Sequence, residues 1–346
     1  MTVIRGYLRP ALSTSTARKL AINLLALAVI CLILSFATDR FLTIVNITNV
    51  LRQISAVAIC GSAVTLLMVS GGLDLSVGAV VALSGVVAAL LANQMPVPLA
   101  FAAGVGVGAL VGLLNAVLVV GIGINSVIAT LGTLYIARGS ALLITNGVPV
   151  YQVPPGYSYL GTGTLVGVPL PIVVMVVVVI AFLILERRTL LGRYAVAVGS
   201  NEQAARLSGV PTLETRAILF ILSGAAAGLA GIVISSRLNA GLSTAGVGFE
   251  FEVIVATVLG GTSLLGGQGT VIGLIVGALI VGVVANGMNL LGIPSFWQTV
   301  ALGTVLVLAV GLDAALRRDQ FIMRLRRRTE RNDGAVPETP KSISPT

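Results

Sequence analysis

Ionisable side chains inside apolar sequence are the residues of this chain that could carry chemistry. Between residues 41 and 185 the charged residues are Arg52, Asp74 and Arg138, and Glu252 lies in a later apolar run. Such groups are costly at membrane depth and often mark ion or substrate pathways. Proton relays use clustered Asp, Glu and His, but these acids are scattered and the chain has no histidine. We interpret Arg138 as an internal partner or a helix-end anchor.

Nucleotide and metal chemistry are excluded by the residue types. A phosphate-binding loop needs Gly-Lys-Ser/Thr, but Lys19 and Lys341, the two lysines, do not follow glycine. Cys31 and Cys60 lie in separate apolar runs, and a zinc-His site cannot form without histidine. We therefore predict no catalytic residue, no metal site and no bound cofactor. If ATP drives this protein, another polypeptide must hydrolyse it.

Glycines break two apolar runs close to these acids. The first break, over 71–78, shortens the following span to 79–92, and the second shortens a span over 251–265. Asp74 either lines a pathway or caps the helix that follows, since an acid at a helix N-terminus accepts free N–H groups. Capping is the favoured alternative. The residues predicted to form a helix break or a translocation pathway are Gly71, Gly72, Asp74, Ser76, Glu252, Gly260 and Gly261.

Residues 186–216 form the long polar interruption of the chain. Eight of them are charged, and five of these are Arg. Ser200 followed by Gln203 matches a capping box, Gly209 is placed for a left-handed helix end, and Pro211 follows it. These signals predict a helix of about two turns, which is too short to be stable alone in water. It must be held by the protein or by a partner, unless the segment is an ordinary loop between spans.

Composition makes the chain a membrane protein. Of its 346 residues, 56% are hydrophobic and 10% are charged, whereas soluble domains carry about 25% charged residues. Spans of ~20 residues divide the apolar sequence into about ten helices. Seventeen of the 21 basic residues fall in 1–19, in 186–216 and in the tail from 317. Because Lys and Arg gather in cytoplasmic loops, we place all three segments in the cytoplasm.

These observations predict an all-α polytopic protein of the lipid bilayer, with about ten transmembrane helices. We divide it into a basic cytoplasmic tail over 1–19, a transmembrane domain over 20–316 and a basic, disordered cytoplasmic tail over 317–346. The net charge of +9 follows from this topology and does not indicate a nucleic-acid partner. Residues 146–168, rich in Pro and Tyr, form the longest outer segment. They are either a rigid docking surface or a packed loop.

Two further patterns concern helix packing and symmetry. Gly104, Gly108 and Gly112 have the four-residue spacing of close helix packing in lipid, and no strand precedes them as a nucleotide-binding loop requires. Residues 123–130 match residues 292–299 at four of eight positions. By the span count the two segments lie on opposite faces, which is typical of an inverted-topology repeat. Four matches also arise by chance, so both interpretations stay open.

Five segments in order resemble the permease subunit of ribose-type carbohydrate ABC importers. They are GGLDLSVGA (71–79), ATLGTLYIARG (129–139), GRYAVAVGSNEQAARLSGVP (192–211), VLGGTSLLGGQGTVIG (258–273) and WQTV (297–300). The likeness extends from about Asn46 to Asp313. It implies the ABC importer permease fold in a bacterial inner membrane. It also implies three partners: a cytoplasmic ATP-binding subunit, an extracytoplasmic sugar-binding protein, and a second permease subunit, identical or paralogous.

The resemblance assigns the capped helix to coupling with the ATPase. Gln203-Ala204-Ala205-x-x-x-Gly209 occupies the importer motif Glu-Ala-Ala-x-x-x-Gly, with Gln in place of the usual Glu and Glu202 one residue earlier. The implied function is ATP-driven import of a sugar or sugar-like solute. The alternative is an ion-gradient-driven secondary transporter of a small polar solute. The residues predicted to couple to the ATPase are Ser200, Asn201, Glu202, Gln203, Ala204, Ala205, Arg206 and Gly209.

Overall fold

The computed structural model describes residues 14–305, 307, 308 and 311, and most of them are helical. The α-helices in this part of the chain are α1 (Thr14–Ala37), α2 (Ile44–Val69), α3 (Val77–Leu91), α4 (Val97–Ala116), α5 (Ser126–Thr145), α6 (Tyr159–Thr162), α7 (Leu170–Arg188), α8 (Leu190–Ser200), α9 (Glu202–Leu207), α10 (Thr212–Leu238), α11 (Phe249–Leu259) and α12 (Val271–Leu290). A π-helical turn, Val117–Gly121, follows α4, and residues 295–305 are also helical. Strands β1 (Thr164–Leu165) and β2 (Val168–Pro169) pair antiparallel.

Ten helical segments of the described chain match the predicted spans in order. Seven are long and apolar enough to cross a membrane by length and composition, namely α1, α2, α4 with the π-helical turn, α5, α7, α10 and α12. The others are α3, α11 and residues 295–305. At 1.5 Å per residue, α3 is about 22 Å long, less than the ~30 Å hydrocarbon core. The all-α polytopic fold is confirmed, with short helices next to both glycine-rich segments.

Several helix ends differ from the predicted boundaries. α1 begins at Thr14, so the last six residues of the predicted N-terminal tail are helical. Arg18 and Lys19 are good helix formers, whereas hydropathy detects only the apolar part of a helix. α11 ends at Leu259 and not at 265, so the second break is longer than predicted. The predicted tail over 317–346 and residues 1–13 lie outside the described residues.

α2 is the central helix of the bundle. Every residue from Ser55 to Val69 is buried, and α7, α10, α11 and α12 pack around it. A membrane helix can expose apolar sides to lipid, so this burial shows that the other helices surround α2. These helices fix the C-terminal end of α2, and the polar loop of residues 186–216 is positioned relative to that end.

Glycines bring α4 and α10 into backbone contact. A Cβ atom added at Gly108 would lie 2.3 Å from the carbonyl oxygen of Gly224, and one at Gly112 would lie 2.4 Å from that of Phe220. Small residues allow such close approach in a membrane. The predicted packing role of the glycines in α4 is confirmed.

Tyr157 attaches the segment 146–168, which is predicted to lie outside, to the bundle. Its side chain is fully buried, and its hydroxyl lies 2.6 Å from Ser235 Oγ on α10. Burial raises the pKa of Tyr157, while the hydrogen bond with Ser235 has a smaller, lowering effect. Tyr151 and Tyr159 are exposed. The segment is therefore packed against the bundle through Tyr157, and it also exposes Tyr151 and Tyr159 on its surface.

The two matching octapeptides share their local geometry. Gly123 and Gly292 have φ angles of 86° and 69°. A helix begins three residues after each glycine, at Ser126 and at Ser295. The sequence match therefore corresponds to a common way of starting a helix. An inverted relation between larger halves of the chain stays a prediction.

Candidate functional site

The polar loop of residues 186–216 contains a six-residue helix, α9, whose first residue is Glu202. Asn201 is the N-cap: it has extended backbone angles, and its Oδ1 accepts a hydrogen bond of 3.0 Å from the N–H of Ala204. The predicted capping box from Ser200 to Gln203 is wrong by one residue, because Ser200 is the last residue of α8. Asn is as good an N-cap as Ser, so the local sequence permits both registers.

The other end of α9 agrees with the prediction. Gly209 has φ of +80°, the left-handed conformation that glycine adopts without a steric cost. The N–H of Gly209 donates to the carbonyl of Arg206, and the N–H of Val210 donates to that of Ala205, both at 3.0 Å. These bonds satisfy carbonyls of the last turn. The protein therefore fixes both ends of this short helix.

The two alanines of the motif face in different directions. Ala205 is buried against the protein, whereas Ala204 and Gln203 are exposed. Both alanines are among the residues predicted to couple to the ATPase, but Ala204 alone of the two is exposed, because a helix turns by about 100° per residue. Leu207 is 90% exposed and was missed by sequence reasoning, although it is an apolar residue in a polar loop. The outward face of α9 combines small and apolar side chains.

Glu202 pairs with two arginines. Its Oε1 lies 3.5 Å from Arg206 Nη2, and its Oε2 lies 2.9 Å from Arg216 Nη1. Arg206 is on the exposed surface of α9, where an ion pair adds little to stability. Arg216 belongs to α10 and is less exposed, so it connects α9 to the bundle.

Gly71 and Gly72 end α2, as the first break predicts. Gly71 has φ of +85°, and its N–H donates to the carbonyl of Met68 at 2.9 Å. The N–H of Gly72 donates to the carbonyl of Leu67 at 3.0 Å. The break thus starts as a hydrogen-bonded helix end, and residues 72–76 continue it without regular secondary structure.

The end of α8 packs directly on this break and on the second glycine-rich segment. A Cβ added at Gly199 would lie 1.8 Å from the carbonyl oxygen of Val69, which accepts a hydrogen bond of 2.8 Å from the N–H of Gly267. One added at Gly266 would lie 3.1 Å from Gly71 Cα. The structure thus brings three separate glycine-containing segments together immediately before α9. Sequence reasoning found each segment but not their contact.

Asp74 binds several helices together. The side chain is 1% exposed. Oδ1 accepts from Ser76 N at 3.0 Å, Ser76 Oγ at 2.6 Å and Asn115 Nδ2 at 3.3 Å, and Oδ2 accepts from Ser223 Oγ at 2.8 Å. Thr133 on α5 donates to Asn115. Ser76 is the N-cap of α3, and Asp74 accepts a hydrogen bond from its backbone N–H, as the favoured capping role predicts. The carboxylate also bonds directly to α4 and α10 and, through Asn115, is connected to α5.

Glu252 lies away from this network, in the first turn of α11. It lines a cavity of about 490 Å³ between α2, α11, α12 and residues 295–305, with Gln53 and Gln298. Gly260 and Gly261 lie at the far end of α11, roughly 12 Å along the helix from Glu252. Of the residues predicted to form a helix break or a translocation pathway, Glu252 is therefore apart from the two glycine-rich segments.

Arg138 has internal partners, as interpreted. Its Nη1 donates hydrogen bonds to the carbonyl oxygens of Ser243, at 2.9 Å, and Ala245, at 2.6 Å. These bonds join α5 to the segment before α11. The Arg138 guanidinium thus fixes the backbone at Ser243 and Ala245.

The family of the chain is shown by sequence comparison. The family described as branched-chain amino acid transport system / permease component matches residues 46–310. The chain belongs to this family. The matched residues include the whole polar loop and agree with the limits of the resemblance drawn from the sequence.

Curated relatives of this permease cover nearly its whole length. The ribose import permease protein RbsC of Escherichia coli (strain K12) is 40% identical over 296 residues, which is 84% of this chain and 92% of the relative. The L-arabinose ABC transporter permease protein AraH of Azospirillum brasilense is 37% identical over 293 residues, 84% of this chain and 86% of that protein. The D-allose transport system permease protein AlsC of Escherichia coli (strain K12) is 37% identical over 286 residues, 82% and 88%. No solved structure matches the chain. The resemblance to sugar ABC importer permeases is confirmed.

Proposed function

We propose that this permease is the transmembrane subunit of an ATP-driven importer and that α9 couples it to a separate cytoplasmic ATP-binding subunit. The observation that carries the proposal is α9 itself: a helix of six residues, fixed at both ends, with an exposed outer face. A helix this short is not stable on its own. Holding it rigidly on the surface makes sense if a partner must engage it in one orientation.

The outer face of α9 is suited to a groove. Leu207 supplies an apolar anchor that is 90% exposed, and Ala204 beside it lets another backbone approach closely. Helices that bind in grooves present such anchors on one face. Glu202 and Arg206 flank this face and favour a partner surface with both charges. Ala205, which is buried, supports the helix from behind.

We assign the remaining partners to the two faces of the membrane. Basic residues gather in cytoplasmic segments, so we place α8, α9 and both termini in the cytoplasm of a bacterium whose inner membrane holds the protein. Residues 146–168 then face outward, where Tyr151 and Tyr159 are available to a sugar-binding protein. A second permease subunit, identical or paralogous, completes the importer.

The relatives support a proposal for the substrate class, because their names specify ribose, L-arabinose and D-allose. We propose a pentose, a hexose or a closely similar solute. Uncharged, hydroxyl-rich solutes need no ion partner in the membrane. Asp74, the acid closest to the helix break, accepts hydrogen bonds on both of its oxygens, which favours this importer over an ion-driven carrier.

The test is reconstitution in proteoliposomes. The permease alone should neither hydrolyse ATP nor take up radiolabelled sugar under a proton or sodium gradient. Addition of the ATPase and the sugar-binding protein should give uptake that requires ATP. Gradient-driven uptake by the permease alone would refute the proposal and establish the secondary transporter.

A further inference from the structure

Arg216 connects α9 to the end of α2. Its Nη1 lies 2.9 Å from Glu202 Oε2 on α9, and its Nε donates a hydrogen bond of 3.3 Å to the carbonyl oxygen of Ser70. The guanidinium is planar and presents its donors in a fixed fork. One side chain therefore holds the two acceptors in a defined relative position.

Ser70 marks the point where the chain leaves α2. It is the C-cap of that helix and precedes Gly71, whose φ is +85°. Carbonyl groups at a helix C-terminus carry partial negative charge and favour a nearby cation. Asp74 fixes the far side of the same break through its hydrogen bonds to Ser76 and Ser223. Arg216 therefore holds the Ser70 end of the break, while Asp74 fixes the Ser76 end.

We propose that Arg216 is a positioning residue that transmits the displacement of α9 to the glycine break at residues 70–76. The inference rests on the proposed function, in which the ATPase moves α9 during its cycle. Arg216 is anchored on α10, which is in backbone contact with α4. A shift of α9 that draws Glu202 away also draws the guanidinium from the Ser70 carbonyl, and the end of α2 is released when α9 moves.

The test uses the complete importer, with ATPase and sugar-binding protein, in proteoliposomes. Three quantities are measured for each variant: co-purification of the ATPase, the rate of ATP hydrolysis, and the sugar imported per ATP hydrolysed. Arg216→Met keeps an unbranched side chain of similar helix propensity and removes both contacts. Arg193→Met is the matched control, because Arg193 is exposed on α8 and its loss changes the charge of the same loop by the same amount.

We expect Arg216→Met to keep co-purification and hydrolysis and to lower the sugar imported per ATP by about 5- to 150-fold, the usual range for coupling between two sites. Arg193→Met should match the wild type in all three quantities. Arg216→Lys should lie between them, because an ammonium keeps the charge but lacks the fork. If Arg216→Met yields too little folded protein, Arg216→Lys, which keeps the charge, takes its place in the test.

The exchange of Glu202→Arg with Arg216→Glu separates the two contacts. It restores an ion pair between α9 and α10 but places a carboxylate, which cannot donate, beside the Ser70 carbonyl. We expect the sugar imported per ATP to stay low, and wild-type import in this double variant would overturn the inference. Wild-type import per ATP in Arg216→Met, or loss of ATPase co-purification in parallel with import, would also overturn it. Failure of the proposed function is recognised separately, because Ala204→Asp would then leave co-purification unchanged.

Discussion

Replacing Asp74 distinguishes a carboxylate that holds helices together from one that acts in the transport pathway. In Asp74→Asn the carbonyl oxygen can take the place of Oδ1 and accept the bonds from Ser76 and Asn115. The new amide group then faces Ser223, whose hydroxyl can accept as well as donate. Asp74→Leu instead removes every acceptor and leaves these buried donors without the partner they now have.

The difference between the two variants follows from the number of hydrogen bonds. Bonds to a charged group contribute about 1.5–3 kcal/mol and neutral ones about 0.5–1.5 kcal/mol. The Asn variant, which weakens the two shortest bonds, should lose about 2 kcal/mol. Each buried donor left unpaired costs about 1–3 kcal/mol. The Leu variant removes the acceptor of three donors, Ser76 N, Ser76 Oγ and Ser223 Oγ, while Asn115 can still donate to Ser76, so it should lose about 3–9 kcal/mol. Typical folding stabilities are about 5–15 kcal/mol, so the Asn variant should keep most of its stability and the Leu variant should lose a large part of it.

The assay combines thermal stability with transport. Detergent-solubilised variants are heated and the remaining monodisperse protein is measured by size exclusion, and sugar import is measured in proteoliposomes. We expect Asp74→Asn to melt slightly earlier and to import, and Asp74→Leu to be recovered poorly. Abolished import in Asp74→Asn, with normal thermal stability and ATPase co-purification, would refute this reasoning, because the charge itself would then be required.

Three other predictions concern α9, the α4–α10 contact and the topology. Ala204→Asp, on the exposed side of α9, should prevent ATPase co-purification without changing thermal stability, whereas Ala205→Asp buries a charge and should lower stability; identical behaviour of the two variants would contradict the assigned faces. Gly108→Ala places a methyl group against the α10 backbone and should cost about 1–3 kcal/mol of stability, while Gly106→Ala, with open space around its Cβ position, is the control and should be neutral or stabilising. Leu207→Cys should react with a membrane-impermeant maleimide only in inside-out vesicles, and labelling of intact spheroplasts would overturn the topology.

The ends of α9 show how far local sequence determines this site. Gly209 was predicted as the helix end because a residue at that place must adopt a left-handed conformation. The start was misplaced by one residue, since Ser200 and Asn201 are equally good caps. In the structure α8 extends to Ser200, and Gly199 beside it packs against Val69, 130 residues away in the sequence. A contact of that kind has no local sequence signal.

Asp74 shows the same limit for the interior. Its position after two glycines predicts a helix break, and the break is present. The carboxylate nevertheless bonds to Asn115 and Ser223, which lie 41 and 149 residues away in the chain. A buried acid needs hydrogen-bond donors. Many Ser, Thr and Asn residues on different spans can supply them, so the sequence does not indicate which ones do. The exposed face of α9 was also unpredictable, because a helix of six residues has too few turns for a periodic pattern.

The distance in sequence between Asp74 and Ser223 has a consequence for the synthesis of the protein. Ser223 is translated 149 residues after Asp74, which takes about 7–30 s at 5–20 residues per second. Asn115 arrives within about 2–8 s by the same rate, so one oxygen of the carboxylate gains its donors early and the other remains unpaired until α10 enters the membrane. α10 is therefore the helix that completes the hydrogen bonds of Asp74 during biogenesis, before α11 and α12 pack against α2.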